Sequence, residues 1–157
     1  TFTAQNDGAK KPKRIKDGFR SGIVLEICYA VFICVVLLLF DNQLIGLFGD
    51  SKQMLSEGSR YFAVIAFFYW LPGVTNAHQL FFRGVAKMKM TLYGTLTQIT
   101  FRVIFTFLLV PRIGLVGVGF ACVAGWIAML GWQAPYCIHI RKKMMIERKV
   151  NNYDLRG

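Results

Sequence analysis

Three ionisable side chains lie inside long apolar stretches of this sequence, where a charge is costly. Arg102 is ten residues or more from Lys89 and from Arg112, which places it ~15–20 Å from either end of a helical stretch. An ionised group at mid-depth in hydrocarbon costs ~2.5–3.5 kcal/mol even on a lenient scale, so we expect Arg102 to face the protein interior and to have a partner. Two interpretations remain open. In the first, Arg102 is structural: it hydrogen-bonds to backbone carbonyls or pairs with an acid in helices outside this sequence. In the second, Arg102 takes part in coupling or in the wall of a cavity.

Glu26 and His78 are the other two, and they differ from Arg102 in depth. Glu26 lies ~9 Å and His78 ~8 Å inside the same end of the helices, counted from Arg20 and Arg83. A carboxylate beside an imidazole can carry protons, so one hypothesis is a proton relay. The alternative is that Glu26 is an interfacial charge meeting Arg20 or Arg83, while His78 packs or hydrogen-bonds. No hydrolase, redox or nucleotide-binding motif occurs, so the sequence does not predict an enzyme.

Two polar stripes indicate which helix faces look inward, because residues three and four apart share a face. The first stripe is Thr91, Thr95, Gln98, Arg102 and Thr106, and the second is Pro72, Asn76, Gln79 and Arg83. Pro72 removes one backbone hydrogen bond and clashes with the preceding turn, which predicts a kink near Phe68. The kink is either a hinge beside a substrate cavity or a static bend, and we expect the Asn76–Gln79 face to meet the Arg102 stripe.

Three further residues in or beside the apolar stretch 61–82 are candidates for function. Tyr69 lies near mid-depth, where a ring that faces a cavity would suit a cation–π contact with a bound cation. Arg83 and Gly84 close the stretch. They are interpreted as a positively charged anchor followed by a residue that permits helix termination, or alternatively as a gate.

These residues must be positioned by membrane-spanning helices. The chain has 157 residues, of which 55% are hydrophobic, and the apolar residues come in four blocks that are each long enough for a helix to cross ~30 Å of hydrocarbon. The blocks are residues 21–40, 61–82, 90–110 and 114–137. Gly117, Ala121 and Gly125 share one face of the last block, which predicts close helix packing. The four cysteines have no metal-binding spacing and are interpreted as packing residues.

The remaining segments connect these blocks. Residues 1–20 are predicted to be the end of a preceding helix and a basic loop, with residues 14–19 along the headgroups. Residues 41–60 form an outer loop with an interfacial turn at Leu44, Ile45, Leu47 and Phe48, and a helix start at Asp50–Ser51. Residues 83–89 form a cytoplasmic loop, 111–113 an outer turn, and 138–157 a basic tail with a frayed end.

The basic residues sort by loop. The net charge is +11, and of the 19 Lys and Arg residues fifteen fall in the loops and ends on one side of the four blocks, three fall on the other side, and Arg102 lies within a block. This distribution predicts that both ends are cytoplasmic. The basic excess is therefore interpreted as a signal that orients the chain in the membrane, with anionic lipid headgroups as its contacts. The same distribution excludes a dedicated nucleic-acid surface.

Three segments resemble one family, the multidrug and toxic compound extrusion (MATE) transporters. The first is Ala4-Gln5-Asn6 with Gly8-Ala9 and a basic run to Arg20, similar to the sequence after the second helix of that family's C-terminal half. The second runs from Phe68-Tyr69 through Asn76 to Arg83-Gly84 and resembles its tenth helix. The third runs from Phe101-Arg102-Val103 to Val110-Pro111-Arg112-Ile113-Gly114 and Gly117, and resembles its eleventh helix and the turn into the twelfth. The resemblance covers nearly the whole chain.

The resemblance implies an all-α membrane protein whose four helices belong to the C-terminal six-helix bundle of a MATE-type transporter. It implies efflux of cationic or amphipathic compounds across the bacterial plasma membrane in exchange for Na⁺ or H⁺. The expected partners are lipids, the N-terminal bundle and the seventh and eighth helices, so these residues alone are not expected to transport. No cofactor is expected. The block 61–82 has no Asp or Glu, so we expect the coupling ion to bind outside these residues.

Two other functions remain open on the sequence. One is a lipid-linked oligosaccharide flippase of the same superfamily, whose cavity would be more cationic, as Arg102 would suit. The other is a small four-helix membrane scaffold or channel.

Overall fold

The protein is all-helical in the residues that this computed structural model describes, which are 1–47 and 51–154, with side chains described up to residue 147. Seven helices follow one another: α1 (Phe2–Gly8), α2 (Pro12–Leu39), α3 (Asp41–Gly46), α4 (Lys52–Phe68), α5 (Trp70–Gly84), α6 (Met88–Ile113) and α7 (Leu115–Asp154). Phe48 and Asp50, which were assigned to the interfacial turn and the helix start, lie outside the described residues.

Three of the described helices are long and apolar enough to cross a membrane. They are α2, α6 and the first 33 residues of α7. The predicted second span, residues 61–82, is divided between α4 and α5, which have 17 and 15 residues, and neither is as long as a typical transmembrane helix. Four spans and two cytoplasmic ends therefore stay predictions.

The division between α4 and α5 lies at Tyr69, three residues before Pro72. The Tyr69 amide donates to the Ala66 carbonyl at 3.2 Å, one residue short of the α-helical partner. Pro72 has no N–H, and its ring crowds the carbonyl four residues earlier, so the α-helical bonding pattern cannot continue through this turn. The side chain of Thr75 donates to the Pro72 carbonyl at 2.8 Å.

The N-terminal part of α2 differs from its prediction. Residues 14–19 were expected along the headgroups, but α2 is continuous from Pro12 to Leu39. Proline is favoured in the first helical turn, because its missing N–H would have no intrahelical partner there. Within the rest of α2 the least favourable residues for a helix are Gly18 and Gly22, and single glycines cost about 1 kcal/mol each, which apolar packing can offset.

The connection between α6 and α7 is shorter than predicted. The turn at 111–113 is wrong, because α6 includes Pro111 and continues to Ile113. Only Gly114 connects the two helices, with φ 64° and ψ −145°, a conformation that is essentially restricted to glycine. The two helices are close neighbours, and they make the most extensive interhelical contact in the described part of the chain.

The basic tail also differs from its prediction. A frayed end was expected after Ile140, but α7 continues to Asp154, and the last three residues lie outside the described part. Residues 141–149 are mostly Lys, Arg, Met and Glu, which favour helix. Lys143 and Glu147 form an exposed ion pair at 3.8 Å along this segment.

The small-residue face of α7 packs closely against α6, as predicted. Gly117, Ala121 and Gly125 are all buried. A Cβ atom on Gly117 would lie 2.8 Å from the carbonyl carbon of Leu109, and one on Gly125 would lie 2.7 Å from the carbonyl oxygen of Gln98. Only glycine allows the two backbones to approach this closely.

The main hydrophobic core joins α2, α5 and α7 at the end that the charge pattern predicts to be cytoplasmic. Its buried members are Ile15, Phe19, Ala77, Phe81, Phe82, Cys137 and Ile140. The rest of α2 is largely exposed, including Leu25, Phe32 and Leu39. An apolar helix face without a protein neighbour in this chain can contact lipid or other helices.

Candidate transport site

Glu26 lies where α2 crosses α5. Its side chain packs against the buried Gly73: a Cβ atom on this glycine would come within 3.2 Å of the Glu26 Cβ and 3.3 Å of its Oε2. The glycine therefore makes room for the carboxylate between the helices. Among residues 1–47 and 51–147, Glu26 forms no ion pair, so the expected contact with Arg20 or Arg83 is not formed.

A cavity of about 610 Å³ opens beside Glu26, bounded by α1, α2 and α5. Its walls are largely apolar, with Phe2 from α1, Leu25 from α2 and Leu80 from α5. Arg14 and Asp17 also line it, more than two helical turns before Glu26 along α2. The cavity thus extends from exposed charged residues to a half-buried carboxylate.

His78 is buried on α5, but the structure does not bring it to Glu26. Its Nδ1 lies 2.8 Å from the Val74 carbonyl oxygen, and since a carbonyl can only accept, Nδ1 carries the hydrogen. Its ring meets Phe19 edge to face, with 5.2 Å between centroids. No hydrogen bond or ion pair joins His78 to Glu26 in the described part of the chain, so the proton-relay hypothesis has no geometric support here.

Phe19 is the centre of a cluster that the sequence pattern did not reveal. The guanidinium carbon of Arg141 lies 4.6 Å from the Phe19 ring centroid, within cation–π distance. Phe81 meets the other side of the cluster, its centroid 5.6 Å from that of Phe19. The contact joins residues far apart in sequence, and neither residue belongs to a motif that would have paired them.

Arg102 is exposed in this chain rather than covered by its other helices. It lines a second cavity of about 370 Å³ with Thr106 on α6 and Val118 on α7. The Thr106 hydroxyl donates to the carbonyl of Arg102 at 2.7 Å and not to its side chain. Within the described residues Arg102 has no ion-pair partner.

The Arg102 stripe changes its surroundings along α6. Thr91 is buried, Thr95 and Gln98 are half-buried, and only then does the stripe reach the exposed Arg102. Within the described residues no hydrogen bond joins this stripe to the Asn76–Gln79 face, so their expected contact stays a prediction. Asn76 is exposed, and the Gln79 amide donates to the Met129 sulfur on α7 at 3.7 Å.

Gln133 is a second residue that the sequence pattern did not single out. It is fully buried on α7, and its amide nitrogen donates to the Met90 carbonyl on α6 at 3.2 Å. It fills the space left by the missing side chain of Gly94. Its Oε1 and the Thr91 hydroxyl are buried without hydrogen-bond partners in the described residues. A lone glutamine in an apolar block was the only signal for it.

The remaining candidates lie along α5 and at its ends. Tyr69, at the helix break, and Pro72 are half-buried, while Arg83 is exposed in the last turn. Gly84 was interpreted as a residue that permits helix termination, and α5 does end there, although the positive φ after the helix occurs at Ala86. A Cβ atom on Gly84 would lie 2.5 Å from Thr3 Cβ, so this glycine allows α1 to pack on α5.

The described residues offer no metal site, since no three His, Cys, Asp or Glu side chains converge within them. A model of one protein family matches the chain: the MatE family model matches residues 1–108. No curated protein and no solved structure matches. The match covers more than half of the chain, which is enough to assign the family. It includes α1 to α5, with Glu26 and its cavity. The chain belongs to the MatE family, whose members are membrane transporters and not enzymes.

Proposed function

We propose that this protein serves secondary active efflux, exporting cationic or amphipathic compounds in exchange for Na⁺ or H⁺. The observation that carries the proposal is the cavity of about 610 Å³, which combines largely apolar walls with the carboxylate of Glu26. A concave apolar site with few polar groups is typical of small-molecule binding, and an uncompensated carboxylate favours a positively charged occupant.

The proposed setting is the bacterial plasma membrane, with several spans and both ends in the cytoplasm. The distribution of Lys and Arg supports this orientation. In that orientation the charged mouth of the cavity, at Arg14 and Asp17, lies toward the cytoplasm and Glu26 lies deeper. The cavity would then accept compounds from the side from which an exporter must collect them. We propose that other parts of the transporter supply the remaining walls of the cavity, the coupling-ion site and the opposing bundle.

A second candidate is a lipid-linked oligosaccharide flippase of the same superfamily. The exposed Arg102 favours it, because its cavity of about 370 Å³ holds no described acidic residue and suits an anionic phosphate. A small scaffold or channel has less support, since the family match favours transport.

The test is ethidium accumulation in bacteria that lack their own efflux pumps. Cells expressing the full-length protein should accumulate less ethidium than cells carrying the empty vector. Replacing Na⁺ by K⁺ in the medium should abolish the difference if Na⁺ drives export, whereas a protonophore should abolish it if H⁺ does. Equal accumulation in both strains under every condition would contradict cation efflux and favour the flippase.

A further inference from the structure

We propose that the cavity between α1, α2 and α5 is where the transported organic cation binds and that Glu26 is its counter-ion. This assignment rests on the proposed efflux function and names the residue within it. It differs from the sequence-based hypotheses for Glu26, which were a proton relay with His78 or an interfacial charge.

The size of the cavity fits such a ligand. Its volume of about 610 Å³ falls within the ~300–1,000 Å³ range of drug-sized sites. Phe2 and Phe81 supply aromatic walls, and Leu25 and Leu80 supply aliphatic ones. Amphipathic cations need both an apolar surface for their body and a carboxylate for their charge.

The charges around the cavity leave Glu26 without a counter-charge. Three ionisable residues line it: Arg14 and Asp17, which are exposed and of opposite sign, and Glu26, which is half-buried. A carboxylate at this depth is costly unless a positive group approaches it. The chain has a net charge of +11, yet acids outnumber bases around this cavity, so its charge is opposite to that of the protein as a whole.

Recognition of the cation by the Glu26 carboxylate is favoured over recognition by the Phe19 ring. Phe19 also lines the cavity, but Arg141 already lies over its ring at 4.6 Å, and a second cation near that ring would be repelled. The Glu26 carboxylate has no such competitor among the described side chains.

Gly22 keeps the cavity open. It lines the cavity one turn before Glu26, and a Cβ atom there would meet nothing within 4 Å. By contrast, Gly18 and Gly73 are each packed against a side chain, Phe2 and Glu26 respectively. A larger side chain at Gly22 would therefore enter the cavity without disturbing a contact in this chain, which makes it a probe of what the cavity holds.

The first experiment measures binding of tetraphenylphosphonium, a permanently charged aromatic cation, to the purified full-length transporter. Glu26→Gln should weaken binding by about tenfold or more, the scale of losing one charge-assisted contact of about 1.4 kcal/mol. Glu26→Asp keeps the charge and should retain most of the affinity. Glu57→Gln is the matched control, because Glu57 does not line the cavity and its carboxylate pairs with the exposed Arg60 at 3.8 Å.

The second experiment changes the shape of the cavity. Gly22→Leu should weaken tetraphenylphosphonium binding more than it weakens binding of the smaller tetramethylammonium. Gly131→Leu is the control: a Cβ at Gly131 also meets nothing within 4 Å, but this exposed residue does not line the cavity. Size-exclusion profiles of each variant in detergent report whether it is folded.

Two outcomes would overturn the assignment. Equal affinities for Glu26→Gln and Glu57→Gln would show that Glu26 does not recognise the cation. The other outcome is that Glu26→Gln and Gly22→Leu both reduce the amount of folded protein, while the fraction that folds binds with unchanged affinity. This would show that the cavity holds another segment of the protein. Failure of the unsubstituted transporter to bind or export any organic cation would instead overturn the proposed function.

Discussion

Phe19 shows how one residue can join three helices. Its ring packs edge-on against His78 and Phe81 of α5, while Arg141 of α7 lies over it. Aromatic pairs with this geometry contribute about 0.5–1.5 kcal/mol beyond the area they bury, and a partly desolvated cation–π contact contributes about 1–2 kcal/mol. Arg141 also has its Nε buried without a described hydrogen-bond partner, so the ring is a principal neighbour of this charge.

Phe19→Ala is predicted to destabilise the protein strongly. Loss of a buried Phe costs about 3–5 kcal/mol through lost transfer energy and the cavity left behind, and here it also leaves Arg141 without the ring. The measurement is the thermal unfolding of the full-length protein in detergent. Phe32→Ala is the control, since it is the same change at an exposed position of the same helix. If both variants lowered the unfolding temperature equally, Phe19 would not be a centre of the fold.

Among the helices, three local features of the backbone determine how neighbouring elements pack. Gly117 and Gly125 bring α7 against the backbone of α6, and Gly114 joins the two helices through a conformation that L side chains rarely adopt. The break at Tyr69 separates α4 from α5 and redirects the chain after it. The glycines fix a close contact between α6 and α7, whereas the interrupted hydrogen bonding at Tyr69 is where the direction of the chain can change.

Pro72→Ala is predicted to straighten the α4–α5 segment, because it restores a backbone N–H and removes the clash with the preceding turn. Spin labels on the exposed Gln53 and Arg83, in a cysteine-free background, would report this as a longer distance that approaches about 45 Å, the value for a continuous helix. The distance in the unsubstituted protein is the reference, and an unchanged distance would show that Pro72 does not cause the break.

The same variant separates the hinge from the static bend. A hinge beside the substrate path should change the rate and apparent affinity of ethidium export together. A static bend should leave export close to that of the unsubstituted protein once the amount of folded transporter is equalised.

At the scale of the whole molecule, the number of membrane crossings depends on α4 and α5. The three long helices α2, α6 and α7 can each cross a membrane. If α4 and α5 together form a fourth crossing, both ends of the chain lie on the same side. If they do not, the ends lie on opposite sides. The excess of basic residues near both ends favours four crossings.

Cysteine accessibility distinguishes these topologies. In full-length protein without its native cysteines, a cysteine at Lys52 should react with a membrane-impermeant maleimide in intact cells. Cysteines at Lys10 and Lys142 should react only after the membrane is permeabilised. Labelling of just one of the two end positions in intact cells would indicate an odd number of crossings and contradict the predicted orientation.

The sequence by itself determined the features that depend on neighbours within a turn or two. An apolar block of sufficient length predicts a helix whichever other helices it packs against. Ser51 begins α4 by accepting from the Met54 amide at 3.2 Å, as its residue type favours, and the spacing of Gly117 and Gly125 indicated a packing face. These properties are local, so residue type and period are enough to predict them.

Only the tertiary structure decided which of these faces meet. It placed Glu26 against Gly73 beside a cavity, Gln79 against Met129, and Phe19 under Arg141. It also left Arg102 on an open face, although its charge predicted an interior position. Contacts between residues so far apart depend on the angles and rotations at which whole helices pack. A helix presents several faces with similar apolar character, and the choice among them is made by the packing of the complete set.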